Sequence, residues 1–251
     1  MEQYVKLSVV IPAHNEEESL AQSILQIYEA LKQSEIDHEI LAVNDNSADQ
    51  TERVLQDLMN AIPSLTYLNN PPPHGYGRAV RKGLDHFTGD CVAIMMADLS
   101  DSPSDLVRYY KTFINNKTDC VFGSRFVKGS KVTGYPKFKL MLNRIINHIV
   151  RLIFGFKYND CTNAFKLYSR ETIDGLRPLL SPHFNLTLEL ALKSIVRGYT
   201  YSVIPISWTR RKYGTSKLML KEMGSRYFFI FLYCLIEKYF SKGDYIKNKT
   251  Q

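Results

Sequence analysis

The sequence predicts an α/β protein, a mostly parallel sheet flanked by helices and wound with right-handed crossovers. From Leu7 onward, short apolar or β-branched runs alternate with stretches of helical periodicity. That alternation is the mark of strands joined by crossover helices. Polar loops follow the first, second and fourth of these runs, and in an open parallel sheet such loops gather at one edge to form a crevice.

The elements can be justified in order. Leu7 to Pro12 is a β-branched run closed by proline, and Ala-His-Asn-Glu-Glu-Glu-Ser leads into helical periodicity from Leu20 to Leu31. Glu39 to Val43 is a second strand, followed by the polar loop Asn44 to Thr51 and a helix from Glu52 to Ala61. Leu65 to Leu68 is a third strand, and the rigid loop Asn69 to Gly75 precedes a helix from Gly77 to Phe87. The fourth strand begins at Cys91, and its apolar run stops at Asp98, ahead of Ser100, Asp101 and Pro103. Beyond it the pattern predicts a helix at Leu106 to Ile114, a strand at Cys120 to Ser124 and a basic continuation to Lys131. Next come a helix at Phe138 to Phe154, a strand at Phe165 to Tyr168, a helix at Asn185 to Val196 and a strand at Tyr201 to Ile206. A basic loop from Arg210 to Lys217 leads to a last helix carrying Tyr227 to Phe240. The expected division is a nucleotide-binding unit at 1–217, then a helix and basic tail at 218–251.

Composition narrows the partners. The chain has 251 residues, 32 Lys and Arg against 25 Asp and Glu, and a net charge of +7, which favours anionic ligands. The basic residues are spread over several loops without a recognisable nucleic-acid module, so nucleic acid is not the expected partner. Four dispersed cysteines offer neither zinc spacing nor a redox pair. The amino terminus lacks a signal-peptide layout, which predicts a cytoplasmic protein. Its longest apolar run, Tyr227 to Ile236, is shorter than the roughly 20 residues that span a bilayer. The Phe138 to Phe154 helix has a broad apolar face with Lys139, Arg144 and Arg151, and suits either a core or a membrane surface.

An acid at the carboxyl end of a central strand faces the ligand crevice, where oxygen donors suit Mg²⁺ or Mn²⁺ bridging phosphates. Asp98 is such an acid; the competing reading makes it a turn residue and Asp101 a helix cap. Glu16 can be an acid beside a helix amino terminus and Asp45 a turn residue. Gly75 and Gly77 precede a helix, where backbone can approach a ligand closely.

Together, Val10-Ile-Pro-Ala-His-Asn-Glu16, Val43-Asn-Asp-Asn-Ser-Ala-Asp49, Gly75-Tyr-Gly-Arg-Ala-Val-Arg-Lys-Gly83, Met96-Ala-Asp-Leu-Ser-Asp101, Gly123-Ser-Arg125 and Arg211-Lys-Tyr-Gly-Thr-Ser-Lys217 resemble the family 2 glycosyltransferases of GT-A fold, in particular the polyprenyl-phosphate (dolichyl-phosphate) mannosyl- or glucosyltransferases. The resemblance implies that Pro12, Ala13 and Glu16 line the base and ribose pocket, with Asp45 accepting from the nucleoside. It implies a metal on Asp98, with Arg125 toward an acceptor phosphate and Arg211, Ser216 and Lys217 toward the donor diphosphate. The family's Asp-x-Asp has Met96 at its first acid here, which leaves Asp101 as the replacement ligand, because a thioether suits hard cations poorly.

The implied partners are a sugar nucleotide, GDP-mannose or UDP-glucose, a polyprenyl phosphate and the cytoplasmic face of a membrane. The implied reaction is an inverting, metal-assisted hexose transfer. Two alternatives stand beside it: a hydroxyl-directed transferase with Glu189 as base, and a sugar-nucleotide-binding protein without turnover.

Overall fold

The computed structural model describes residues 5–211 and 220–247. In chain order the elements are β1 (Leu7–Ala13), α1 (Leu20–Gln33), β2 (His38–Asn44), α2 (Thr51–Met59), β3 (Leu65–Asn69), α3 (Tyr76–His86), β4 (Cys91–Ile94), α4 (Pro103–Asn116) and β5 (Cys120–Ser124). They continue with β6 (Lys131–Thr133), α5 (Lys137–Phe154), β7 (Lys166–Ser169), α6 (Arg170–Gly175), α7 (Leu186–Val196), β8 (Tyr201–Pro205), β9 (Ser207–Thr209) and α8 (Leu220–Phe240). Seven strands form one sheet in the order β3-β2-β1-β4-β7-β5-β8. Only β7 runs against its neighbours, and β6 and β9 pair as a small parallel sheet beside the main one.

The strand alternation explains the layering. Val9, Ile11, Ile40, Ala42, Cys91 and Ala93 point into the core shared with α1, α2 and α4. Val10, Leu41, Val92 and Ile94 point into the opposite core, with residues of α3, α5, α7 and α8. Both faces of β1 are therefore covered, and all seven of its residues are buried, as a central parallel strand requires.

The predicted fold class and the main elements agree with this architecture. The sequence reading lacked α6, β6 and β9. It took Arg125 to Lys131 as a continuation, whereas the chain turns there: Gly129 has φ +96°, and the Ser130 hydroxyl donates to the carbonyls of Ser124 and Val127. Such short pieces hold too few residues to show a period.

The last helix is fastened to the domain. Ile230 and Cys234 are buried in the core with α7, and Arg197 makes two hydrogen bonds to the Glu237 carboxylate, at 2.7 and 2.9 Å. Lys238 donates to the Phe154 carbonyl, where α5 and α8 meet. Among the described residues, no helix is long and apolar enough to cross a membrane.

Breaking a buried ion pair on one side leaves an uncompensated charge. Arg197→Met is expected to lower stability in urea unfolding by about 3 kcal/mol. Adding Glu237→Leu should restore most of the loss.

Candidate active site

The loops after β1, β2 and β4 lie at the carboxyl edge of the sheet, and the first two are laced together. The Asn15 amide donates to Ser47 Oγ, its side chain accepts from the Ala48 amide, and the Glu16 amide donates to Thr51 Oγ1. Asn15 and Asn46 adopt left-handed backbone, which asparagine tolerates. Leu99 does so as well, at φ 61°, an uncommon conformation for such a residue, and it lies between the two candidate metal carboxylates.

Asp98 and Asp101 are both nearly buried. Asp98 accepts from the Ser100 amide with one oxygen and meets Arg211 Nη2 at 2.7 Å with the other. Asp101 accepts from the Met96 amide at 3.2 Å. Burial, with the Asp98 charge beside it, pushes the Asp101 carboxyl up to about 7. The hard oxygen donors of Asp98 and Asp101 fit Mg²⁺ or Mn²⁺. No cluster of three or more His, Cys, Asp or Glu ligands exists among the described residues. Substrate phosphate and water would therefore complete the coordination of a bound ion, as Mg²⁺ commonly requires.

Arg211 also reaches Glu16, at 3.8 Å, so three of the predicted residues converge. Pro12 and Ala13 are buried at the end of β1, beside Val43 and Asn44 of β2. Ser216 and Lys217 lie outside the described residues.

Other predicted residues have different local roles. Asp45, expected to accept from a nucleoside, accepts from Asn70 Nδ2 at 2.7 Å and from the Gly75 amide at 2.8 Å. It thereby ties the 69–75 loop to β2. Gly75 and Gly77 make room for protein rather than for a ligand: a Cβ at Gly75 would lie 2.5 Å from the Pro182 carbonyl oxygen, and one at Gly77 would lie 2.4 Å from that of Ser181.

Arg125, expected to face an acceptor phosphate, is buried and held by Asp160 through Nε at 2.8 Å and Nη2 at 2.6 Å. Burial opposes its charge, but Asp160 outweighs burial and raises its pKa. Lys166, pushed down to about 8 by burial, donates to the carbonyls of Cys161, Asn163 and Thr187 and closes the same loop.

The alternative base, Glu189, is wholly buried. Its oxygens accept from the amides of Leu180 and Ser181, both at 2.8 Å, and one meets Lys193 Nζ at 2.7 Å. Glu189 thus positions the 180–183 segment that packs on Gly75 and Gly77. Sequence reading missed the stacked rings of His14 and His74, 4.7 Å apart beside Asp45. The Asn44–Asn69 side-chain bond was also missed, although the Asn69-Asn70 pair at a strand end was a signal for it.

A mostly parallel sheet with an acidic turn at its carboxyl edge and an arginine on that turn fits a glycosyltransferase of GT-A fold. The sequence model of glycosyl transferase family 2 matches residues 8–177, and the chain belongs to that family. It is 29% identical over 216 residues to the polyprenol monophosphomannose synthase of Mycolicibacterium smegmatis, covering 84% of this chain and 80% of that protein. It is 30% identical over 228 residues to the dolichol-phosphate mannosyltransferase of Pyrococcus furiosus, with 87% of this chain aligned but only 61% of that longer protein spanned. The fold is shared with glucosyl-3-phosphoglycerate synthase from Mycobacterium tuberculosis. Its UDP complex superposes with a TM-score of 0.67 at 17% identity, covering 93% of this chain and 80% of that one. Its complex with Mn²⁺, UDP-glucose and phosphoglyceric acid gives a TM-score of 0.68 at 18% identity, covering 93% and 79%.

If Glu189 is a buried tie, Glu189→Gln should cost about 3 kcal/mol in denaturant unfolding. Turnover of the folded protein should stay within a few-fold of wild type. A loss of about 10²-fold at unchanged stability would instead restore it as a base.

Proposed function

We propose that this glycosyltransferase moves a hexose, mannose or glucose, from a sugar nucleotide to a polyprenyl phosphate with inversion at the anomeric carbon. The observation that carries the lipid part is the exposed apolar surface of α5 and α8. On α5, Phe138 is 73% exposed and Leu152 63%, with Met141, Ile145 and Ile149 on the same helix. On α8, Phe240 is 76% exposed, with Phe228, Phe229 and Ile236 on the same helix. Apolar residues gathered this way are unusual on a surface that faces only water.

The acceptor chemistry agrees with the site. A sugar hydroxyl must lose a proton as it attacks, which calls for a positioned base. A phosphate monoester is already anionic and needs only to be held. With Glu189 buried against Lys193, the hydroxyl reading lacks its proposed base. The polyprenol- and dolichol-phosphate activities named for the two relatives support the same acceptor class.

In this reading Asp98 and Asp101 would hold Mg²⁺ or Mn²⁺, whose charge would offset that of the departing nucleoside diphosphate. Glu16 and the ends of β1 and β2 frame the nucleoside. Arg211, with Ser216 and Lys217, holds the diphosphate, since a planar guanidinium suits phosphate oxygens. The apolar faces of α5 and α8 rest at the cytoplasmic face of a membrane, so 218–251 serves as a membrane-side extension of the catalytic unit.

GDP-mannose, UDP-glucose and UDP-N-acetylglucosamine should each be offered with a polyprenyl phosphate. Hexosyl lipid phosphate is the expected product from one of the first two donors, and Asp98→Asn should lower kcat by about 10²-fold or more. Transfer to free polyprenol or to a sugar, with none to the phosphate, would overturn the acceptor.

For the membrane, the expected result is co-sedimentation with anionic liposomes that weakens with salt. Phe138→Ser with Leu152→Ser should reduce it several-fold. A wild-type protein left in the supernatant at every salt concentration would remove the membrane from this reading.

A further inference from the structure

The arginine assigned to the donor diphosphate sits on the carboxylate assigned to the metal. Arg211 Nη2 is 2.7 Å from Asp98 Oδ2, and Nη1 is 3.8 Å from Glu16 Oε1. Asp98's other oxygen already accepts from the Ser100 amide. The arm that delivers the arginine is stitched to the same acidic turn. The Thr209 amide donates to the Ser100 carbonyl at 3.1 Å, Asp101 and Trp208 form a backbone bridge, and the Arg210 amide donates to Thr133.

A guanidinium and a divalent ion cannot share one carboxylate oxygen without strong repulsion between the cations. With Met96 supplying no acidic ligand, Asp98 and Asp101 are the carboxylates left to the ion, and Arg211 occupies one of the two.

We infer that Arg211 is the resident counter-cation of the metal site, held on Asp98 until a nucleoside diphosphate draws it off and leaves Asp98 to the metal. The inference rests on reading Asp98 as a metal ligand. The anion that releases the arginine is the diphosphate itself, whose oxygens offer a guanidinium a two-pronged partner. Metal and nucleotide therefore bind cooperatively, and metal alone binds weakly. By linkage, the factor by which nucleotide tightens metal equals the factor by which metal tightens nucleotide. Arg211 is then a positioning residue that sets the order of assembly as well as a phosphate ligand.

The test is Mn²⁺ binding, read by calorimetry and by electron paramagnetic resonance of free Mn²⁺, without acceptor or turnover. Wild type, Arg211→Gln and Arg211→Lys are titrated with Mn²⁺ alone, then with saturating GDP or UDP, with correction for Mn²⁺ chelated by free nucleotide. Arg211→Gln is expected to bind Mn²⁺ alone about tenfold more tightly than wild type, with Arg211→Lys staying near wild type. In wild type, which needs no substitution to fold, the matching nucleotide is expected to tighten Mn²⁺ by about tenfold or more, and by much less in Arg211→Gln. Adding Asp98→Asn to Arg211→Gln should abolish the gain.

Mn²⁺ binding by Arg211→Gln equal to or weaker than wild type, or no tightening by either nucleotide in wild type, overturns the exchange while leaving Asp98 as a ligand. If no form binds Mn²⁺ with or without nucleotide, both the exchange and the metal reading fall.

Discussion

A carboxylate taken out of water must find a positive partner, find hydrogen-bond donors or keep its proton, and this fold depends on how each case is met. Asp160 has Arg125, Glu189 has Lys193 and Glu237 has Arg197. Each pair joins segments or turns that the core alone would leave free to shift. Asp45 is held by an amide and an asparagine. Asp101, beside the negative Asp98, holds its proton well above the usual carboxylate range. The other paired acids are architecture, whereas at the sheet edge Asp98 shares Arg211 with Glu16 and lies beside Asp101.

Those ties form a continuous support behind the site. Glu189 fixes the amides of residues 180 and 181, the 181–183 backbone fills the space left by Gly75 and Gly77, and the Gly75 amide meets Asp45. The Asp45 backbone in turn bonds Ala13 at the end of β1. Rigid backing of this kind holds the crevice open between loops that would otherwise be soft.

Much of the frame was legible because buried strands declare themselves. The runs at Leu7, Cys91 and Cys120 are dense in apolar residues, and the abrupt acids after Ile94 marked the edge that matters. The roles of single polar residues were less legible, because they depend on partners distant in sequence. Arg125 and Asp160 are 35 positions apart, and no local pattern pairs them. A glycine pair ahead of a helix looks the same whether a phosphate or another loop presses on it, and here the occupant is the 181–183 backbone. The three-residue strands β6 and β9 stand because they meet each other and because β9 is also bonded to the turn at Ser100 and Asp101.

The reversed strand β7 has a consequence for how this scaffold can vary. Because Lys166 pairs with Ile94 at the active edge, the segment that precedes β7, rather than the one that follows it, lies beside the site. The loops after β1, β2 and β4 all come from the first half of the chain, whereas α5, the Asp160 loop and the arm that carries Arg211 come from the second half. The active edge is thus assembled from two separate stretches of the gene. A change in the 131–165 segment would therefore also reach the arm that carries Arg211, because Thr133 pairs with Thr209 and accepts from the Arg210 amide.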